Sequence, residues 1–392
     1  MTRKTRIRSA LRWTHRWIAL TLGLLFALLS LSGSLLLFQP QFFQWAHGDL
    51  VPASLSRQPG SVDEWVRRAR ASVPDMRGPS YIWTPRFDHN LSNAAMLIFE
   101  SHRPAGFGHS GLVGVLVAPA TGTVLGTIDI DRSPAYAPIF LHRDLWSGRF
   151  GRTLAGAAGL GALVLLLLGL YLWWPRTRML QKLSPRPWRA TLTRAGRMHD
   201  VAGAWSVVLL ILLAGSGVCL VQPGWVSPLF RALLGPATPS PHPSERCTGP
   251  IGFDQAVLRA GALVPNGTFV AAEVQDHRTF GVWKLVFSGE HSRAAFRESE
   301  VMADLDCGSI TIRSTPESRR AIDSIGMWLM SIHDGTALGV PGQLLVALLG
   351  LAPPLLLWSG VRVWMRKRGW LGGASSTASE GAKQPGMGAS PP

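Results

Sequence analysis

The stretch TLAGAAGLGALVLLLLGLYLWW, Thr153–Trp174, contains no charged side chain. Its length matches the roughly 20 apolar residues that cross a hydrocarbon core. Three other blocks repeat it: Ile18–Phe38, Val201–Val221, and a stretch from about Leu338 to Trp364 with Pro353-Pro354 in its middle. The first of these exceeds the roughly 7–15 apolar residues of a signal-peptide core and reads as a retained span. Over the 392 residues, 47% are hydrophobic and 16% charged, against about 25% charged in soluble domains. The excess is gathered in blocks, so the chain reads as a membrane protein.

The segments flanking the spans give their direction. Met1–Trp17 holds Arg3, Lys4, Arg6, Arg8, Arg12 and Arg16 and no acid. Arg176, Arg178, Lys182, Arg186, Arg189, Arg194 and Arg197 precede Asp200, and Arg362, Arg366, Lys367 and Arg368 close the fourth span. If four spans alternate, these basic segments share one side, which the positive-inside rule makes cytoplasmic. The orientation is then N-in and C-in, with two long, nearly charge-balanced loops outside. The net charge of +16 is a topology signal, and no nucleic-acid partner is expected.

Each outer loop is domain-sized. In the first, SVDEWVRRARASVP opens with Ser61 and carries Glu64 three residues later, a capping-box start. AAMLIFES and GLVGVLVAPATGTVLGTIDI then read as strands. In the second, GFDQAVLRAGALVP reads as a helix, followed by strands in TFVAAEVQD, TFGVWKLVFSG and SEVMADLDCGSITI. The plan of span, small α+β domain and span thus occurs twice. The expected fold is an all-α four-helix transmembrane bundle with two outer α+β domains. The expected segments are 1–38 (basic N-terminus and first span), 39–141 (first outer domain), 142–174 (histidine motif and second span) and 175–199 (basic link). They continue with 200–222 (third span), 223–332 (second outer domain), 333–370 (histidine motif and fourth span) and 371–392, a Gly/Ser/Ala/Pro-rich tail expected to be disordered. Pro236–Pro250 reads as a linker. Cys247 and Cys307 share the second outer loop. A disulfide is permitted in an oxidising compartment, but pairing does not follow from sequence.

TGTVLG after a strand, preceded by an amphipathic helix, resembles the small PepSY domain. WTHRW, LHRDLWSG, GLYLWWPR, RMHDVAG and SIHDGTALG beside the spans resemble the PepSY-associated transmembrane family, over roughly Thr14–Trp370. The second outer region departs from the PepSY pattern, with DLDCGSI at its turn. The resemblance implies a bacterial inner-membrane protein with PepSY-like periplasmic domains and two b-type haems. It also implies an oxidoreductase that passes electrons from a separate cytoplasmic or quinol donor to a periplasmic acceptor, ferric siderophores being one family substrate.

The histidines can be argued from the residues alone. Each span has one at its edge: His15, His142, His199 and His333. Ionisable groups at membrane depth default to a functional hypothesis, and neutral imidazole is an axial ligand of haem iron. By side, His15 pairs with His199 and His142 with His333. On straight helices the first two lie about 18–20 Å from their span centres and the second two about 33 and 27 Å. Straight helices would then hold the two irons about 50 Å apart. A bend or re-entry is therefore expected near Gly148, Gly151, Gly335 or Pro341-Gly342, with Ile325–Ile332 dipping into the interface. Arg143, Arg149 and Arg152 suit haem propionates or headgroup snorkelling. Asp200 and Asp334, each directly after a histidine, read as salt-bridge partners. Gly156, Gly159, Gly161, Gly203, Gly215 and Gly217 give flat faces for a cofactor or for helix packing. The remaining histidines read as surface residues. No CxxCH or dinucleotide fingerprint occurs. A haem-dependent reductase is the leading reading; the alternatives are a non-enzymatic module binding a periplasmic partner, and a cytochrome serving another acceptor.

Overall fold

The computed structural model describes residues 3–52, 60–87, 90–102, 110–174, 191–236, 247–289 and 298–370. Most of the basic link, most of the expected linker and the tail lie outside the described residues, as do His89, His109, His242 and His291.

The chain opens with α1 (Arg3–Leu36), followed by α2 (Gln39–His47) and α3 (Val62–Ser72). Four strands come next: β1 (Met76–Trp83), β2 (Ala95–Ser101), β3 (Leu112–Val117) and β4 (Val124–Asp129). A short α4 (Ala137–Asp144) leads into α5 (Gly148–Trp173). The second half repeats this order with α6 (Thr191–Val221), α7 (Pro223–Leu234), α8 (Phe253–Leu263), β5 (Gly267–Val274), β6 (Val282–Gly289), β7 (Ser299–Asp304) and β8 (Ser309–Ser314). It ends with α9 (Ala321–His333), α10 (Gly339–Leu349) and α11 (Ala352–Lys367). Among the described residues four helical stretches are long and apolar enough to cross a membrane: Thr5–Leu36, Gly148–Trp173, Arg194–Val221 and Thr336–Lys367.

The fourth span breaks between α10 and α11 because Pro353 and Pro354 cannot donate to the carbonyls four residues earlier. The Gly350 carbonyl that Pro354 leaves unbonded accepts instead from the Ser30 hydroxyl of α1 at 2.9 Å, and Ser34 donates to Ala347 O at 3.0 Å. Hydroxyls on a neighbouring helix thus repair the ladder, as backbone in lipid requires.

The two outer regions do not form two separate domains. They make one eight-stranded antiparallel sheet in the order β4-β3-β2-β1-β5-β6-β7-β8. β1 pairs with β5 through Tyr81–Glu273, Ile82–Ala272 and Trp83–Ala271. Kept apart, each half would expose β1 or β5 as an unpaired edge, and edge strands tend to pair. One apolar core then serves both halves. Val62, Trp65 and Ala69 of α3 and Phe253, Ala256 and Ala260 of α8 cover the same face, over Leu97, Val115, Trp283 and Leu285.

The helix starts are stapled together. Ser61 caps α3 by accepting from Glu64 N at 3.1 Å. Asp254 accepts from Val62 N at 2.7 Å, and Asp63 returns the bond from Phe253 N at 2.8 Å and Asp254 N at 3.0 Å. Each helix thereby supplies the acceptor for the other's unbonded N–H groups. Beside them, Arg67 and Arg68 hold the Glu64 carboxyl down to about 2. Cys247 and Cys307 are joined as a disulfide, tying the lead-in to α8 to the β7–β8 turn.

β1 is absent from the sequence reading because Gly78-Pro79 interrupts it. Proline is excluded from central ladders except at irregularities. β1 is nevertheless central, and its register against β2 shifts between Arg77 and Tyr81, around the proline.

Candidate functional site

His15 on α1 and His199 on α6 meet at the end of the bundle far from the sheet, with ring centroids 6.4 Å apart. His142, in the last turn of α4, meets His333, the last residue of α9, at the sheet end, 5.9 Å apart. These are the pairs that side-matching predicts. The sheet-end pair is reached by two short helices that fold back beside the spans. After α4 the chain reverses through Leu145 and Trp146, both left-handed, and Gly148. A Cβ on Gly151 would fall 1.6 Å from Asp144 O, so α5 can begin only with glycine there. After α9 the reversal repeats, where Gly335 and Gly342 touch backbone to backbone.

The reversal shortens the path between the pairs. His142 reaches α1 at Leu29–Gly33 and His333 reaches α6 at Leu213–Gly217. From His15 to Gly33 along α1, and from His199 to Gly217 along α6, the rise is about 27 Å. That replaces the separation of about 50 Å that straight helices would impose.

Each of the four imidazoles is held the same way. His15 Nδ1 lies 3.2 Å from Leu165 O, His142 Nδ1 2.7 Å from Leu29 O, His199 Nδ1 3.0 Å from Leu356 O and His333 Nδ1 3.1 Å from Leu213 O. A carbonyl can only accept, so each Nδ1 carries the proton and each neutral ring keeps its lone pair on Nε2. Among the described residues none hydrogen-bonds to the Nε2 of any of these four histidines. Four residues beyond each of these leucines stands a glycine against the Cε1 edge of the ring: Gly169, Gly33, Gly360 and Gly217. A Cβ there would come within 3.2, 2.7, 3.4 and 3.0 Å of the respective Cε1 atoms. The cradles read LLLLG, LSLSG, LLWSG and LAGSG. Of the glycines singled out from sequence, only Gly217 faces a histidine. Gly156 packs on Gln222 and Trp225, Gly159 on Val218 and Gly161 on Leu22, while Gly203 faces Leu356 and Gly215 meets open space.

The arginines fall elsewhere. Arg143 gives both Nε and Nη2 to Asp144 Oδ2, at 3.1 and 2.8 Å, and lies over the Phe140 ring. Arg149 and Arg152 are exposed near the start of α5. At the far end, Arg16 Nε, Trp173 Nε1 and Arg366 Nε are buried with no hydrogen-bond partner among the described residues. Buried donors of this kind are normally satisfied. Asp334 accepts from Thr336 N at 2.8 Å and Thr336 Oγ1 at 2.6 Å, so it caps a turn rather than bridging to a base.

Among the described residues no group of three or more His, Cys, Asp or Glu side chains could hold a metal ion. A six-coordinate haem asks only two ligands of the protein, and the donor set fits that demand. Each pair offers two imidazoles whose Nε2 has no hydrogen-bond partner among the described residues. Its spacing is close to the ~6 Å spanned by two rings on bonds of the roughly 2.0 Å usual for imidazole on a first-row metal.

A family model for the PepSY-associated TM region matches residues 12–367. The chain belongs to this family. The match takes in all four histidines, the first span from residue 12 onward, the other three spans and the whole sheet, so PepSY-associated TM membership covers the site and its scaffold together. No curated protein was found to match the chain.

Proposed function

We propose that this PepSY-associated TM protein holds two b-type haems, one on His15/His199 and one on His142/His333, and passes electrons through the membrane. The observation that carries the reading is the fourfold cradle. Four imidazoles, facing in two pairs, have Nδ1 fixed on a carbonyl and Nε2 open. Fixing one ring nitrogen sets the tautomer and orients the other toward iron. The haem, when bound, supplies a one-electron couple. The glycines let the Cε1 edges of the rings come close to neighbouring helices, and Leu166, Val207, Leu210 and Ala214 keep the ground between the pairs apolar. The unpartnered Arg16, Trp173 and Arg366 donors suit carboxylates at the far pair.

The basic segments support an orientation with the far end in the cytoplasm of a bacterial cell. The Cys247–Cys307 disulfide supports a periplasmic sheet. On this reading electrons enter at His15/His199 from a cytoplasmic protein or a quinol. They leave at His142/His333 to a ferric siderophore, whose reduction to Fe(II) weakens its hard oxygen ligation. The test is to purify the protein, reduce it, and follow reoxidation by ferric chelates. A reduced b-type spectrum that decays on adding a ferric siderophore supports the reading. Decay with other acceptors only makes it a cytochrome with a different partner. His142→Ala and His199→Ala should each remove one haem; retention of both in either variant overturns the ligand assignment.

A further inference from the structure

Three of the four cradles carry a serine immediately before the glycine: Ser32, Ser216 and Ser359. All three are buried, at 1, 4 and 0% exposure. Each hydroxyl spends its proton on its own helix. Ser32 donates to Leu28 O at 2.9 Å, Ser216 to Leu212 O at 2.8 Å and Ser359 to Leu355 O at 2.8 Å. What remains on each oxygen is an acceptor lone pair. Ser216 Oγ lies 3.0 Å from His333 Nδ1, Ser359 Oγ 3.1 Å from His199 Nδ1, and Ser32 Oγ a longer 3.5 Å from His142 Nδ1. In the fourth cradle, under His15, the position is Leu168, and Nδ1 has the Leu165 carbonyl alone.

We infer that Ser216 and Ser359, and more weakly Ser32, are positioning residues that act as second acceptors on the Nδ1–H of the histidine each one faces. This inference rests on the haem reading above. A second acceptor pushes electron density onto the imidazole and strengthens its donation to ferric iron, a tuning that acts through hydrogen bonds outside the ligand set. Serines in membrane helices also bond back to their own backbone with no further role. Ser206 does this on the same helix: it is buried, donates to Ala202 O at 2.7 Å and faces no histidine. It is therefore the internal control.

The experiment is a spectroscopic redox titration of the full chain in detergent, with His142→Ala and His199→Ala used to assign each potential to its pair. Ser216→Ala should raise the potential of the sheet-end haem only, and Ser359→Ala that of the far-end haem only. Ser206→Ala should move neither, and Ser32→Ala should give a smaller rise than Ser216→Ala. Leu168→Ser, which adds the missing acceptor under His15, should lower the far-end potential, a sign that lost packing does not produce. Shifts in Ser216→Ala and Ser359→Ala no larger than in Ser206→Ala overturn the inference while the haem reading stands. If Ser216→Ala loses its haem, Ser216→Thr decides: a regained haem supports the hydroxyl's role, and continued loss overturns it. A haem-free wild-type protein removes the haem reading, and this inference falls with it.

Discussion

Gly33 sits where a methyl group is least affordable. A Cβ there would lie 2.7 Å from His142 Cε1 and 3.0 Å from Nδ1. Ordinary contact begins at 3.4 Å, so in Gly33→Ala the ring must retreat by 3.4 − 2.7, about 0.7 Å. The 2.7 Å bond from His142 Nδ1 to Leu29 O would stretch to as much as about 3.4 Å and weaken. The weakened bond costs up to about 1 kcal/mol, and the overpacking about 1–3 kcal/mol. Without haem the ring is free to turn away, so the sum of about 1–4 kcal/mol falls on the bound state, or roughly 5- to 700-fold in affinity. The helix itself gains about 1 kcal/mol from alanine over glycine, so the variant should fold at least as well as the parent. Haem titration of the four glycine-to-alanine variants, with thermal melting as the folding control, gives a graded test. The loss should fall in the order Gly33, Gly217, Gly169, Gly360, following the approaches of 2.7, 3.0, 3.2 and 3.4 Å. Full retention of haem by Gly33→Ala, or a Gly360→Ala variant as damaged as Gly33→Ala, would refute the cradle argument.

Other consequences can be checked separately. Ser30→Ala leaves Gly350 O, already without its helical donor, unbonded at a buried kink, and should cost about 1–3 kcal/mol in denaturant unfolding with no loss of haem. Trp65→Ala should cost about 3–5 kcal/mol and should expose amides of β5 and β6 to hydrogen exchange as well as those of its own half, because the core is shared; protection lost in β1–β4 alone would contradict a single sheet. Reducing Cys247–Cys307, which closes a separation of 60 residues, should lower the stability of the sheet region by about 2–4 kcal/mol, read by urea unfolding. Glu64 should titrate at about 2, below the 4.5 of an ordinary glutamate. Its stabilising contribution is thus full above about 4.5 and is lost as pH falls toward about 2; an NMR midpoint near 4.5 would show that Arg67 and Arg68 do not hold it.

The spans and the histidine pairing were legible because both follow from one-dimensional quantities, the length of apolar runs and the side on which each run ends. The Ser61 cap was legible for the same reason, since Ser61 and Glu64 are three residues apart. What escaped was long-range. β1–β5 pairing joins residues near 82 and 272, and nothing local distinguishes an edge that stays open from one that finds a partner. The cradles escaped because serine and glycine inside an apolar run read as interruptions, although the short S-G steps at Ser32, Ser216 and Ser359 were there to be seen. Arg143 escaped because adjacent helix residues do not face each other. Here Asp144 is the last helical residue before a left-handed turn, and Arg143 reaches it.

The most direct test of the account is the haem-to-protein ratio of the purified full-length chain. Two b-type haems per chain, both low-spin with two histidine ligands, is the predicted result. A folded, colourless protein, or a single haem that survives both His142→Ala and His199→Ala, would contradict it.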